Sequence, residues 1–284
     1  MGYNQHQSFF LRDRWLGKGL RALEKDPRFF FRKDAFEKIG LGKNMVQSLQ
    51  HWLIAVNAAV SVGTGKNRVL EFTYFGEWLL NNDPALKYFD TIAMLHYNIV
   101  SQDEPSTSWY WYFNEFPNEM SDKETLFNEL NEWVKQRETR KVSENSIRRD
   151  VDCLLRMYAS EEETEDPEEI ITSPFAKLKL IVERNETWFK NEINIPNNNL
   201  LFIKYALCKY SEDNDRYEIS LEDILNEKKL LGKVYNMNSS QVIDALTMLE
   251  NDYYYKVEFT RTNNLDIVQL PKMSIVDLLE NHKF

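Results

Sequence analysis

Four residues near the amino terminus could act on a phosphodiester. His6 could serve as acid or base, Arg12 and Lys18 as a phosphate clamp, and Asp13 as one carboxylate directed at a metal. Magnesium or manganese would then be the expected cofactor. No PD-ExK array, His-Asn-His pattern or HxK phosphodiesterase signature supports this set, and the metal ligands stay unassigned. The plainer reading makes His6 a turn residue, Phe9 and Trp15 core, and Arg12 with Asp13 a structural pair.

The elements that would carry such chemistry to a polyanion lie just downstream. From Phe29 to Val60 the pattern predicts a helix-turn-helix. A short helix with apolar Phe31, Ala35, Phe36 and Ile39 stops at Gly40, which tolerates positive φ. Asn44 is the expected cap of the next helix, with Gln47 three residues on. Val46, Leu49, Trp52, Leu53 and Val56 share one face of that helix, while Lys43, Gln47, Ser48, Gln50 and His51 share the other. Amide and hydroxyl side chains suit base edges and lysine suits phosphate, so this face, with Asn44, is the candidate DNA-reading surface. The turn Gly63 to Arg68 and the alternating stretch Val69 to Tyr74 predict a basic wing carrying Lys66 and Arg68. The glycine pair there lacks phosphate-loop spacing and reads as a turn.

Charge follows the same division. Residues 1–70 hold twelve Lys/Arg against five acids, a net of +7, while the whole chain is −10 and the remainder therefore −17. A basic head on an acidic body predicts that the head meets nucleic acid and the rest meets protein. Two widely separated cysteines, Cys153 and Cys208, argue against a disulfide framework or zinc site and for a reducing cytoplasm. No apolar run approaches the ~20 residues of a membrane span, and no export signal is evident at the amino terminus.

A second helix-turn-helix is expected between Ser121 and Tyr158, with Ser143 as a cap and Arg148 and Arg149 as further DNA-contact candidates. Eight acids balance eight bases there, so these arginines could equally line a solvated face. His96 reads as a core histidine, and Trp109 to Phe113 as core aromatics rather than a stacking platform. Glu161 to Glu169, dense in like charge and containing Pro167, reads as a linker. Beyond it, helices near 200–209, 220–227 and 239–251 and two strands within 255–270 again follow winged-helix order. The last helix shows Gln241, Asp244, Thr247 and Glu250 with no basic residue, which predicts protein binding. The expected fold is mainly α with small β wings, in tandem winged-helix modules: a head at 1–75, a helical unit at 76–160, an acidic linker at 161–170 and an acidic unit at 171–284.

Several short patterns follow one another along the chain: His6, Phe9, Arg12, Trp15 and Lys18-Gly19; Leu41 through Val46; Asp83-Pro84; Leu95-His96-Tyr97; Trp109 through Trp111; Phe113-Asn114; Ser146 through Asp152; Ser173-Pro174. In their order and spacing the chain resembles the SspB-like family of bacterial DNA phosphorothioation systems, over most of its length. The resemblance implies a DNA-nicking endonuclease that works with a sulfurtransferase and an ATPase in anti-phage defence. It brings no catalytic set with it. Two rivals remain open at this level: a winged-helix regulator of a defence locus, binding a palindromic site as a homodimer, and a scaffold presenting DNA to the sulfurtransferase.

Overall fold

The computed structural model describes residues 2–159, 172–196, 200–261 and 266–282. The expected acidic linker, 161–170, therefore lies wholly outside the described residues. The chain is mainly helical with small antiparallel sheets, and one order of elements occurs three times: a helix, two or more further helices, then a hairpin.

The first set comprises α1 (Trp15–Lys25), a 3-10 turn (Phe29–Phe31), α2 (Ala35–Ile39), α3 (Lys43–Ala55), β1 (Ala59–Val62) and β2 (Val69–Phe72). Trp15, Leu16, Leu20 and Leu23 bury one face of α1, and Gly19 lets α3 approach closely, a Cβ there lying 3.1 Å from both Leu49 and Leu53. Gly40 ends α2 at φ 70, as expected. The cap of α3 differs from expectation: Gly42 holds that place without a side-chain bond, and Asn44 lies exposed inside the first turn. The helix also ends sooner than its apolar pattern suggests. Asn57 adopts φ 58, and the chain turns into β1, which pairs antiparallel with β2 from Ala59↔Phe72 to Val62↔Val69. An apolar helix end and a following strand read alike in sequence, so periodicity does not separate the two.

Next come α4 (Tyr74–Asn82), α5 (Phe89–Val100), α6 (Thr107–Asn114), β3 (Met120–Asp122), α7 (Lys123–Arg137), α8 (Glu144–Ala159), a 3-10 turn (Pro174–Leu178), β4 (Ile181–Arg184) and β5 (Thr187–Lys190). The sheet order is β3-β5-β4. Ser143 accepts a bond from the Ser146 amide at 3.3 Å, consistent with the predicted cap. Every residue from Asp90 to Val100 of α5 is buried, which makes it the central helix of the molecule. All of α6 is buried as well, so Trp109 to Phe113 belong to the core.

The third set is α9 (Leu201–Asn214), β6 (Glu218–Ser220), α10 (Leu221–Asn226), α11 (Leu231–Val234), α12 (Ser239–Leu249), β7 (Glu258–Arg261) and β8 (Asp266–Gln269), with sheet order β6-β8-β7. Asn238 and Gln241 form a reciprocal capping box at the start of α12. A final helix, α13 (Ile275–Glu280), returns to the first half of the chain: the Trp78 indole donates to Leu279 O at 3.2 Å.

Polar bonds from α5 join all three sets. His96 Nδ1 accepts from the Tyr158 hydroxyl at 2.7 Å and its Nε2 donates to Val234 O at 2.5 Å, as a satisfied core histidine should. Asn98 donates to Val56 O at 3.0 Å and accepts from the Tyr205 hydroxyl at 2.9 Å. Both cysteines are buried and free. Among the described residues no helix is long and apolar enough to cross a membrane.

Candidate nucleic-acid interface

The outward face of α3 carries Lys43, Asn44 and Gln47, all exposed, with Gln50 half-buried beside them. The Lys43 ammonium sits 5.2 Å from the Phe36 ring centre, so α2 steadies its stem while its charge stays at the surface. Ser48 and His51 do not share this face. Ser48 is fully buried and donates to Phe9 O at 3.0 Å, and the Trp52 indole donates to the same oxygen at 2.9 Å. His51 is buried 4.8 Å from the Trp52 ring and 6.2 Å from the His6 ring; burial pushes its pKa down to about 3. The physical reason is the segment before α1. It packs across α3 and widens the buried arc beyond what two helices alone would cover, which places these two residues inside, contrary to the sequence reading.

The β1–β2 connection presents Lys66 and Arg68 to solvent. Gly63 at φ 78 and Gly65 at φ 56 make that turn, and at Gly63 a Cβ would lie 2.6 Å from Asn67 O. Arg68 rests 5.9 Å over the Phe31 ring. On α8, Arg148 is exposed but committed: it holds both Glu124 oxygens at 2.8 and 2.9 Å and lies 3.7 Å over Phe127. Arg149 is exposed one residue on.

Three of the four residues expected to do chemistry engage different sets of neighbours. His6 is 1% exposed, and its Nε2 lies 2.8 Å from Asp150 Oδ1. Asp150, fully buried, also accepts from the Asn4 amide at 2.7 Å and the Ser108 hydroxyl at 2.6 Å. This polar knot ties the amino-terminal segment to α6 and α8. Asp13 accepts from the Thr172 hydroxyl at 2.6 Å and lies 3.7 Å from Lys177. The Arg12 guanidinium is 5.0 Å from Trp15 and 5.6 Å from Phe9. Lys18 is exposed on α1. Trp15 is core and His6 lies in a turn, as the plainer sequence reading has them, but Arg12 and Asp13 engage different neighbours and do not form the expected pair. Sequence reasoning gives Asp150 no role of its own, because its partners lie more than forty residues away in the chain and no local spacing marks it.

Among the described residues no three His, Cys, Asp or Glu side chains gather in a form that could hold a metal ion. The His6–Asp150 pair has its carboxylate oxygens engaged by protein donors. As folded, this donor set does not fit a divalent cation.

A comparison with curated proteins gives no match. Among solved structures, a magnesium-bound crystal structure of SspB is similar to this chain at a TM-score of 0.85 and 23% identity, covering 95% of this chain and 83% of that one. A second SspB crystal structure matches with the same TM-score and coverage at 24% identity. At this identity the likeness concerns the fold. The sequence model for proteins of unknown function DUF4007 matches residues 3–282, and the chain therefore belongs to that family.

Proposed function

We propose that this protein is the DNA-engaging, DNA-nicking component of a bacterial phosphorothioation system, acting in the cytoplasm and holding DNA through residues 1–75. The observation that carries the reading is the placement of spare cations: Lys43 on α3 and Lys66 and Arg68 on the adjoining hairpin turn are exposed at the end of the chain whose net charge is +7. The fold likeness to SspB over 95% of the chain supports the choice of system. We read each of the three recurring element sets as a winged-helix module, with α3, α8 and α12 in the recognition position. On this reading the units are 1–75, 76–160 and 171–284, joined by an acidic linker at 161–170. Lys43, Asn44, Gln47 and Gln50 face a groove, Lys66 and Arg68 take phosphate, and Arg149, with Arg148 held by Glu124, forms a secondary contact. Ser48 and His51 support α3 from within. His6, Arg12, Asp13 and Lys18 remain the residues to substitute in a cleavage assay; magnesium or manganese is supplied in solution, and none of the four is assigned as its ligand. The sulfurtransferase and ATPase of the system are the proposed partners.

The purified full chain should bind duplex DNA and convert supercoiled plasmid to open circle when magnesium or manganese is present. Replacing Lys43 and Gln47 together by alanine should weaken binding roughly tenfold and flatten the fall of log affinity with log salt by about one unit. Binding without any nicking would remove the endonuclease and leave the DNA-engaging reading. Unchanged affinity in the double variant would remove α3 from the interface.

A further inference from the structure

A groove of about 560 Å³ runs between α1 and the Phe29–Ile39 stretch, on the same basic head. Its rim is cationic: Lys18, Arg21, Lys25, Arg32 and Lys38, with Asp26 as the acid among its lining residues. Two of these cations are already committed. Arg32 is bonded to Asp26, and Lys38 lies 2.8 Å from Asp34. Lys18, Arg21 and Lys25 have no acidic partner among the described residues. They stand three and four residues apart on one face of α1, along about 10 Å of helix. Below them the floor is apolar, made by Ala22, Phe29 and Ile39.

A cationic track alone would serve a phosphate backbone of any kind. The apolar floor asks for something more, a flat hydrophobic group attached to the anion. Duplex DNA keeps its base faces stacked inside and offers only base edges in its grooves, so it has no flat face to lay on that floor. An unpaired nucleotide has both parts, and sites that stack single-stranded bases combine the same two features. The groove volume suits a ligand of nucleotide size.

We infer that this groove seats an unpaired nucleotide of a DNA strand, its phosphates on Lys18, Arg21 and Lys25 and its base against Ala22, Phe29 and Ile39. The inference rests on the DNA-engaging reading of the head and adds a single-strand subsite to it. An acidic peptide with an apolar side chain would meet the same charges, and it would show no response to the presence of bases.

The test compares a short oligothymidylate, the abasic oligomer of the same length, and a duplex, each titrated against the full chain. The wild-type protein should bind the oligothymidylate roughly tenfold more tightly than the abasic strand. Ala22→Gln, which fills the floor without changing charge, should abolish that preference while leaving abasic binding and the melting transition unchanged. Arg21→Ala with Lys25→Ala should weaken both strands, and the log affinity against log salt should flatten by about 1.4. Equal binding of the abasic and base-bearing strands by wild type would overturn the inference, even if Ala22→Gln failed to fold. A preference that survives in a folded Ala22→Gln would do the same. If duplex is bound and no base preference appears, only the groove assignment falls. If neither duplex nor single strand is bound, the DNA reading of the head falls with it.

Discussion

His51 and His96 show how burial changes what a residue type can do. Both have pKa values pushed down to about 3, with loss of solvent as the leading cause in each case. In the unfolded chain each would titrate near the ordinary histidine value of about 6.5. The folded state therefore refuses a proton that the unfolded state accepts. Their stabilising contribution is complete above about pH 6.5 and is lost as the pH falls toward 3. Between roughly pH 6 and 5, each should add about 1.4 kcal/mol of lost stability per pH unit. Denaturant titrations of wild type and His96→Asn over that interval should give slopes differing by about that amount, whatever the variant's absolute stability. Equal slopes would mean that His96 keeps an ordinary pKa in the folded protein. The partner of His6, Asp150, is fully buried and already accepts from Asn4 and Ser108, so a histidine near an arginine and an aspartate in sequence is part of a structural knot in the fold.

Two glycines near the ends of helices separate what an element shows locally from what it needs of its neighbours. Gly40 ends α2 in the left-handed region, with nothing within 4 Å of an added Cβ. Gly76 sits in the first turn of α4, where a Cβ would lie 1.8 Å from Ala58 O. At that same junction the Thr73 hydroxyl donates to Asn57 O at 2.5 Å and accepts from the Gly76 amide at 3.0 Å. Gly40→Ala should cost about 1 kcal/mol, the strain of φ above zero. Gly76→Ala must push α4 off the α3–β1 junction and should cost about 3 kcal/mol or more. Urea unfolding midpoints at constant slope would measure both; a Gly76 variant as stable as the Gly40 variant would mean that α4 can shift without penalty. The Gly40 stop is legible because a periodic apolar run ends there. The need for glycine at 76 is not, since the obstructing carbonyl belongs to another element.

Across the whole molecule the charge is divided, with +7 on the first seventy residues and −17 on the rest. The third element set shows how the acidic part could be used. On α12, Asp244 and Thr247 are exposed, and Met248 at 44%, with Tyr253 at 86% and Tyr254 at 51% just beyond the helix, place bare apolar surface beside Glu250. Acids around exposed aromatics suit a basic-rimmed protein partner and oppose a phosphate backbone. Asp244→Lys with Glu250→Lys in the full chain should reduce co-purification with the sulfurtransferase or ATPase roughly tenfold and leave DNA affinity of the head unchanged. Retained partner with lost DNA would exchange the roles of the two ends. The three element sets are bonded to one another: α5 bonds to Val56, Tyr158, Tyr205 and Val234, and Lys204, 6% exposed, is paired with Asp252.

The mainly helical class, the stop at Gly40, the cap at Ser143, the core nature of His96 and Trp109 to Phe113, and the basic head are all legible along the chain. Each of these depends on periodicity, local backbone preference or summed charge, which a linear pattern carries. Tertiary structure alone decided that Ser48 and His51 turn inward, that His6 meets Asp150, and that Lys18, Arg21 and Lys25 overlook an apolar floor. Those outcomes depend on which distant segment covers a face: the stretch before α1 lies over α3, α8 supplies Asp150, and the turn at Phe29 closes beneath α1. Burial is a property of the covering partner as much as of the residue, and spacing within one helix cannot report it.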